Sequence, residues 1–123
     1  MTTPPEGSDA RTREDHKRVL RVIDGRDILF DKEGFFWHAE DWSQPVAKIL
    51  AREAGMTGLT DAHWQVIDFL RTFYLEQGRA PLNAQLKAGT GMALLELERL
   101  FPGGIKNGAR RLAGLPNPKT CAG

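Results

Sequence analysis

The segment from Thr60 to Gly78 constrains this chain more than any other. Trp64, Ile67, Leu70, Phe73 and Tyr74 recur at helical spacing, and Val66 and Phe69 widen the apolar face they make. Thr60 is a natural N-cap and Gly78 a natural stop, so the spacing predicts a helix over roughly residues 61 to 77. A face this broad and this aromatic reads as central core, against which the rest of the chain must pack, not as an aromatic ligand cage.

Shorter elements fill in around it. Ser43 is placed to cap a helix with Pro45 in its first turn, and Val46, Ala47, Ile49 and Leu50 form its apolar stripe before Gly55. Beyond Gly78 the pattern gives a short helix near 82 to 88, a Gly89-Thr90-Gly91 turn, a helix of about 92 to 100, a break at Phe101-Pro102-Gly103-Gly104, and a last helix of about 105 to 112. That last helix turns Ile105, Ala109 and Leu112 inward and leaves Lys106, Arg110 and Arg111 outside. Ahead of the helices, Val19 to Ile23 and Ile28 to Phe30 flank Asp24-Gly25, a strong hairpin signal, and Phe35-Phe36-Trp37 after a second turn suggests a third short strand. Three short strands cannot bury their own face, so the meander needs the helices. The expected fold is α+β and mainly helical: a small N-terminal antiparallel β-meander packed on about five helices, with a flexible C-terminal arm.

Length and charge bound the rest. The 123 residues suit one domain, with 1–18 as a polar, disordered extension, 19–113 as the folded body and 114–123 as the arm. Seventeen Lys and Arg stand against sixteen Asp and Glu, so no charge excess points to nucleic acid or a membrane as the main theme. No run reaches the roughly 18 apolar residues of a membrane helix, and a single cysteine rules out an internal disulfide framework; a reducing, cytoplasmic setting is expected.

That cysteine, Cys121, lies on the arm Gly114-Leu115-Pro116-Asn117-Pro118-Lys119-Thr120-Cys121-Ala122-Gly123. Gly114 stops the helix, and Pro116 and Pro118 hold the backbone extended, so the arm is expected to leave the body as a semi-rigid spacer. From the residues alone Cys121 is either an incidental cysteine at a fraying end or a thiol presented to another protein, its thiolate favoured by Arg110, Arg111 and Lys119 if they lie close. His16, His38, His63 and Cys121 share no metal-binding spacing, so no metal is expected. A cysteine hydrolase would need a histidine held at Cys121, which a flexible arm does not provide; His63, at a helix start, reads as structural.

The ending Leu112-Ala113-Gly114-Leu115-Pro116-Asn117-Pro118-Lys119-Thr120-Cys121 resembles the I-A-G-L-P-x-P-x-x-C ending of the DsrC/TusE family of sulfur-carrier proteins. Upstream pieces agree in order: Asp31-Lys32-Glu33-Gly34-Phe35, Asp41-Trp42-Ser43, His63 to Ile67, Phe69-Leu70-Arg71-Thr72-Phe73-Tyr74, and Leu100 to Gly104. The resemblance implies a carrier that holds sulfane sulfur as a persulfide on Cys121 and relays it without a cofactor, a sulfurtransferase-type relay protein, not a stand-alone enzyme. It implies a TusBCD- or DsrEFH-like donor and, as acceptor, a tRNA-thiolating enzyme or a sulfur-oxidation complex. Partner docking would fall to Arg110, Arg111, Gly114, Leu115, Pro116, Pro118 and Lys119. Arg110 stands where members that work with dissimilatory sulfite reductase carry a second cysteine, which turns the reading from that partner toward a single-cysteine, TusE-like variant. The charged segment usual before the L-F-P-x-G motif is also missing, and two residues follow the cysteine instead of one.

The rival class is a DsrC-like regulatory or DNA-binding protein. Two short helices between Leu82 and Leu100 outline a helix-turn-helix. The second of them, Met92 to Arg99, offers two acids, one base and many apolar residues, poor material for reading base edges.

Overall fold

The structure is a computed structural model, and it describes residues 18–118. Strands β1 (Arg18–Ile23) and β2 (Arg26–Asp31) pair antiparallel from Arg18↔Asp31 to Ile23↔Arg26. The two residues between them, Asp24 and Gly25, have φ of 54° and 75°, the primed turn that suits the twist of a hairpin. The first strand therefore takes in Arg18, one residue earlier than the sequence reading places the body; the rest of the N-terminal extension lies outside the described residues. The expected third strand is reduced to one bridge, Phe30↔Phe36, flanked by hydrogen bonds from Asp31 N to Phe35 O and from Trp37 N to Leu29 O. The chain turns away there into a 3₁₀ turn at Ala39–Asp41.

Among the described residues, five helices follow. Helix α1 (Gln44–Glu53) starts at Ser43, whose hydroxyl accepts from Val46 N, and α2 (Asp61–Gln77) runs from the Thr60 cap to Gly78, which lies in the left-handed region. His63 completes the cap: its Nδ1 accepts from Thr60 N at 2.9 Å, its Nε2 lies 2.8 Å from Leu100 O, and its ring meets Phe101 edge-on. The residue thus ties the start of α2 to the end of α4, a structural role.

Helix α3 (Asn83–Thr90) absorbs Gly89 and Thr90, which the sequence reading assigns to a turn. A side chain at Gly89 would run into the Phe69 ring, so its absence lets α2 and α3 approach, and Thr90 Oγ1 bonds back to Leu86 O. Helix α4 (Leu94–Leu100) then begins two residues later than expected. Helix α5 opens as a wide π-type turn over Ile105–Ala109, closed by Arg110 N to Ile105 O, and continues as Arg110–Leu112.

Two apolar clusters meet across α1. Ile23, Ile28, Phe30 and Phe36 of the hairpin region pack with Val46, the Phe30 and Phe36 rings 4.8 Å apart. The larger cluster gathers Val66, Ile67 and Leu70 of α2 with Leu86, Leu97, Phe101, Ile105, Ala109, Leu112 and Leu115. Trp42 and Leu50 touch both. No helix among the described residues is long and apolar enough to cross a membrane.

Candidate functional site

Helix α5 ends where the arm begins, and the ending is a Schellman motif. Gly114, at φ 76°, donates its N–H to Arg111 O at 3.0 Å, and Leu115 N donates to Arg110 O at 3.1 Å. A helix end still leaves carbonyls without partners inside the helix. Here they are met from distant parts of the chain. Trp42 Nε1 donates to Leu112 O at 2.7 Å, and Arg71 Nη1 donates to Ala113 O at 2.9 Å while its Nη2 reaches Ala39 O at 3.3 Å. The Arg71 guanidinium lies 4.2 Å from the centre of the Trp42 ring, so the two donors also brace each other. Burial pushes the Arg71 pKa down from its ordinary value. The guanidinium nevertheless stays charged at neutral pH, and a cation beside the last carbonyls of a helix opposes the dipole there.

The seat continues past the helix. A Cβ on Gly114 would come within 2.5 Å of Trp42 Cδ1, so position 114 needs glycine both for its backbone angle and for the indole it touches. Leu115 is 1% exposed and Asn117 4%, with Pro116 and Pro118 half-buried between solvent and body. Asn117 Nδ2 donates to Asp31 Oδ2 at 2.9 Å, while Asp31 Oδ1 accepts from Glu33 N and Phe35 N, each at 2.9 Å. One carboxylate therefore shapes the turn after β2 and holds the arm 86 residues further on. The arm expected to leave the body at Gly114 is seated on it through Pro118. Lys119 and Cys121 lie outside the described residues.

The basic root also differs from the expectation. Arg110 does not project into solvent: its Nη2 donates to Pro81 O at 3.1 Å, its Nε is buried, and burial pushes its pKa down. Arg111 lies over Phe35, its Cζ 5.3 Å from the ring centre, and also packs close to Gly34. Of Lys106, Arg110 and Arg111, only Lys106 is exposed. The π-type turn gives the reason, because an i→i+5 closure rotates the residues after it relative to a regular α-helix and swings both arginines against the body.

Composition and spacing did not single out Asp31, Trp42 and Arg71 as part of this site. Each does fall in a stretch that carries the family resemblance, and that was the signal available. Together with the C-terminal segment they define a small α+β body built to hold a chain end, and the DsrC-like family model matches residues 22–122 of this chain. The chain belongs to the DsrC-like family. Among its relatives, the sulfurtransferase TusE of Sodalis glossinidius is 40% identical over 106 residues, covering 80% of this chain and 97% of that protein. The gamma subunit of the dissimilatory-type sulfite reductase of Nitratidesulfovibrio vulgaris is 34% identical over 97 residues, covering 79% and 92%. A crystal structure described as dissimilatory sulfite reductase I superposes with a TM-score of 0.76 at 34% identity, covering 81% of this chain and 96% of that one.

Proposed function

We propose that this protein is a sulfur-relay carrier that takes sulfane sulfur onto Cys121 as a persulfide and hands it to a partner protein. The seated root, with Trp42, Arg71 and Asp31 holding residues 112–118, carries the reading. Cys121 follows Pro118 by three residues, so its Cα can lie no more than about 11 Å from that of Pro118. A partner must therefore bring its own sulfur site to the surface around the root.

The chemistry needs no cofactor. The Cys121 thiolate attacks the outer sulfur of a donor cysteine persulfide, the donor S–S bond breaks, the donor cysteine leaves as a thiolate, and Cys121 carries the persulfide. Electrons balance, because one S–S bond replaces another. A donor of TusBCD or DsrEFH type and an acceptor in tRNA thiolation or sulfur oxidation fit this reaction, in the cytoplasm. Arg110, which occupies the position of the second family cysteine, removes the internal disulfide or trisulfide that a two-cysteine member can close, which disfavours a sulfite reductase partner. Helix α4 exposes Leu94, Leu95, Glu96, Glu98 and Arg99, two acids and two leucines against one base, a surface that does not suit DNA.

Intact mass after incubation with a persulfide-loaded donor tests the proposal. The wild type should gain one sulfur atom and Cys121→Ser none. An unchanged wild-type mass, or equal gain on both, would sink it.

A further inference from the structure

Between β1, the turn after β2, the end of α1 and the start of α5 lies a cleft of about 280 Å³, lined by Arg21, Gly34, Glu53, Asn107 and Arg111 among others. What distinguishes it is the way Arg111 is presented. Its Cζ lies 5.3 Å from the Phe35 ring centre. A Cβ at Gly34 would stand 3.3 Å from Cζ and 3.4 Å from Nε, and Gly34, with φ of 92°, has none. The guanidinium is thus held by packing. Its Nε is buried without a hydrogen-bond acceptor among the described residues.

A guanidinium offers paired donors in a fixed fork that suits two oxygens of one anion. The charge of the cleft agrees. Glu53 would repel an anion, but Arg21 Nη2 pairs with its Oε2 at 2.6 Å, so that pair is neutral and Arg111 leaves the lining with a net charge of +1. The Asn107 side chain adds a further possible donor on the same wall.

We propose that this cleft is an oxyanion-binding site with Arg111 as its fork and Arg21 keeping Glu53 neutralised. The ligand is a carboxylate or a sulfur or phosphorus oxyanion, free or carried on a docking protein. The test of this site does not depend on sulfur transfer.

The backbone amide resonances of Gly34 and Asn107, which line the cleft and survive substitution of Arg111, are followed by ¹⁵N NMR at constant ionic strength set with chloride and read occupancy. Sulfate and acetate are titrated in separate arms. At least one should produce a saturable shift: sulfate alone points to a free tetrahedral anion, and acetate to a carboxylate of the side-chain kind. Arg111→Gln should abolish saturation, Arg111→Lys, which keeps the charge but loses the fork, should weaken it about tenfold, and Arg21→Gln should weaken it by unpairing Glu53. Circular dichroism confirms that each variant is folded, and Arg111→Lys serves if Arg111→Gln is not. Shifts that stay linear and match chloride in both arms, or saturation that persists without Arg111, overturn the proposal.

Discussion

The two ends of the described chain invert what their compositions suggest. Strand β1 is rich in β-prone apolar residues, yet Val19, Leu20 and Val22 are 42%, 60% and 68% exposed. The segment after Gly114 holds two prolines and an asparagine, yet Leu115 and Asn117 are almost fully buried. Among the described residues, strand β1 pairs on one side only and lays Ile23 alone in the core. The arm root finds partners for its backbone and side chains in three distant stretches of chain. Burial thus follows the supply of partners more than the hydropathy of a segment, and a proline-rich end can be better anchored than a strand.

Breaking the anchor at its tightest point should have the largest effect. Gly114→Ala places a side chain in the left-handed region and drives it into Trp42, so unfolding by urea should show a loss of about 3 kcal/mol or more. Loss of well under about 1 kcal/mol would mean that the root is not seated. Arg71→Ala removes the donors to Ala113 O and Ala39 O together with the cation over Trp42, and the same measurement should show a loss of about 2–3 kcal/mol.

A smaller change isolates the latch. Asn117→Asp turns a donor into a like charge facing Asp31 and should cost about 1–2 kcal/mol at neutral pH. The exchange Asp31→Asn with Asn117→Asp restores one donor and one acceptor and should recover most of that loss. Persulfide acceptance by Cys121 should fall in the single variant and return in the exchange, while reaction with a small thiol reagent stays unchanged in both. If the exchange rescues neither stability nor acceptance, Asp31 does not position the arm. At the other end, Leu20→Thr with Val22→Thr should shift stability by no more than about 0.5 kcal/mol per site, because both side chains already meet water. A larger loss would show that β1 is covered in solution.

Much of the fold was legible because it rests on local rules. Ser43, Thr60 and Gly78 mark helix ends by their own hydrogen bonding and backbone freedom, Asp24-Gly25 fixes a two-residue hairpin turn, and the face from Trp64 to Tyr74 repeats with the helix. Gly89 was misread because its place in α3 depends on the Phe69 ring of another helix, and the outward placing of Arg110 and Arg111 failed on a π-type turn that no residue pattern announces. Phe35-Phe36-Trp37 kept its apolar character and lost its strand, since one bridge to β2 was all the pairing that the turn at Ala39 allowed.

The sequence by itself determined the helices, the hairpin, the central core stripe, the stop at Gly114 and the family to which the chain belongs. Those are set by contacts within a few residues or by motifs in a fixed order. Only the tertiary structure decided that the arm is seated as far as Pro118, that Trp42, Arg71 and Asp31 seat it, and that Arg111 faces a cleft. Each of these joins groups tens of residues apart, such as Asp31 to Asn117, and such a bond exists only once the core has brought its two ends within about 3 Å of each other.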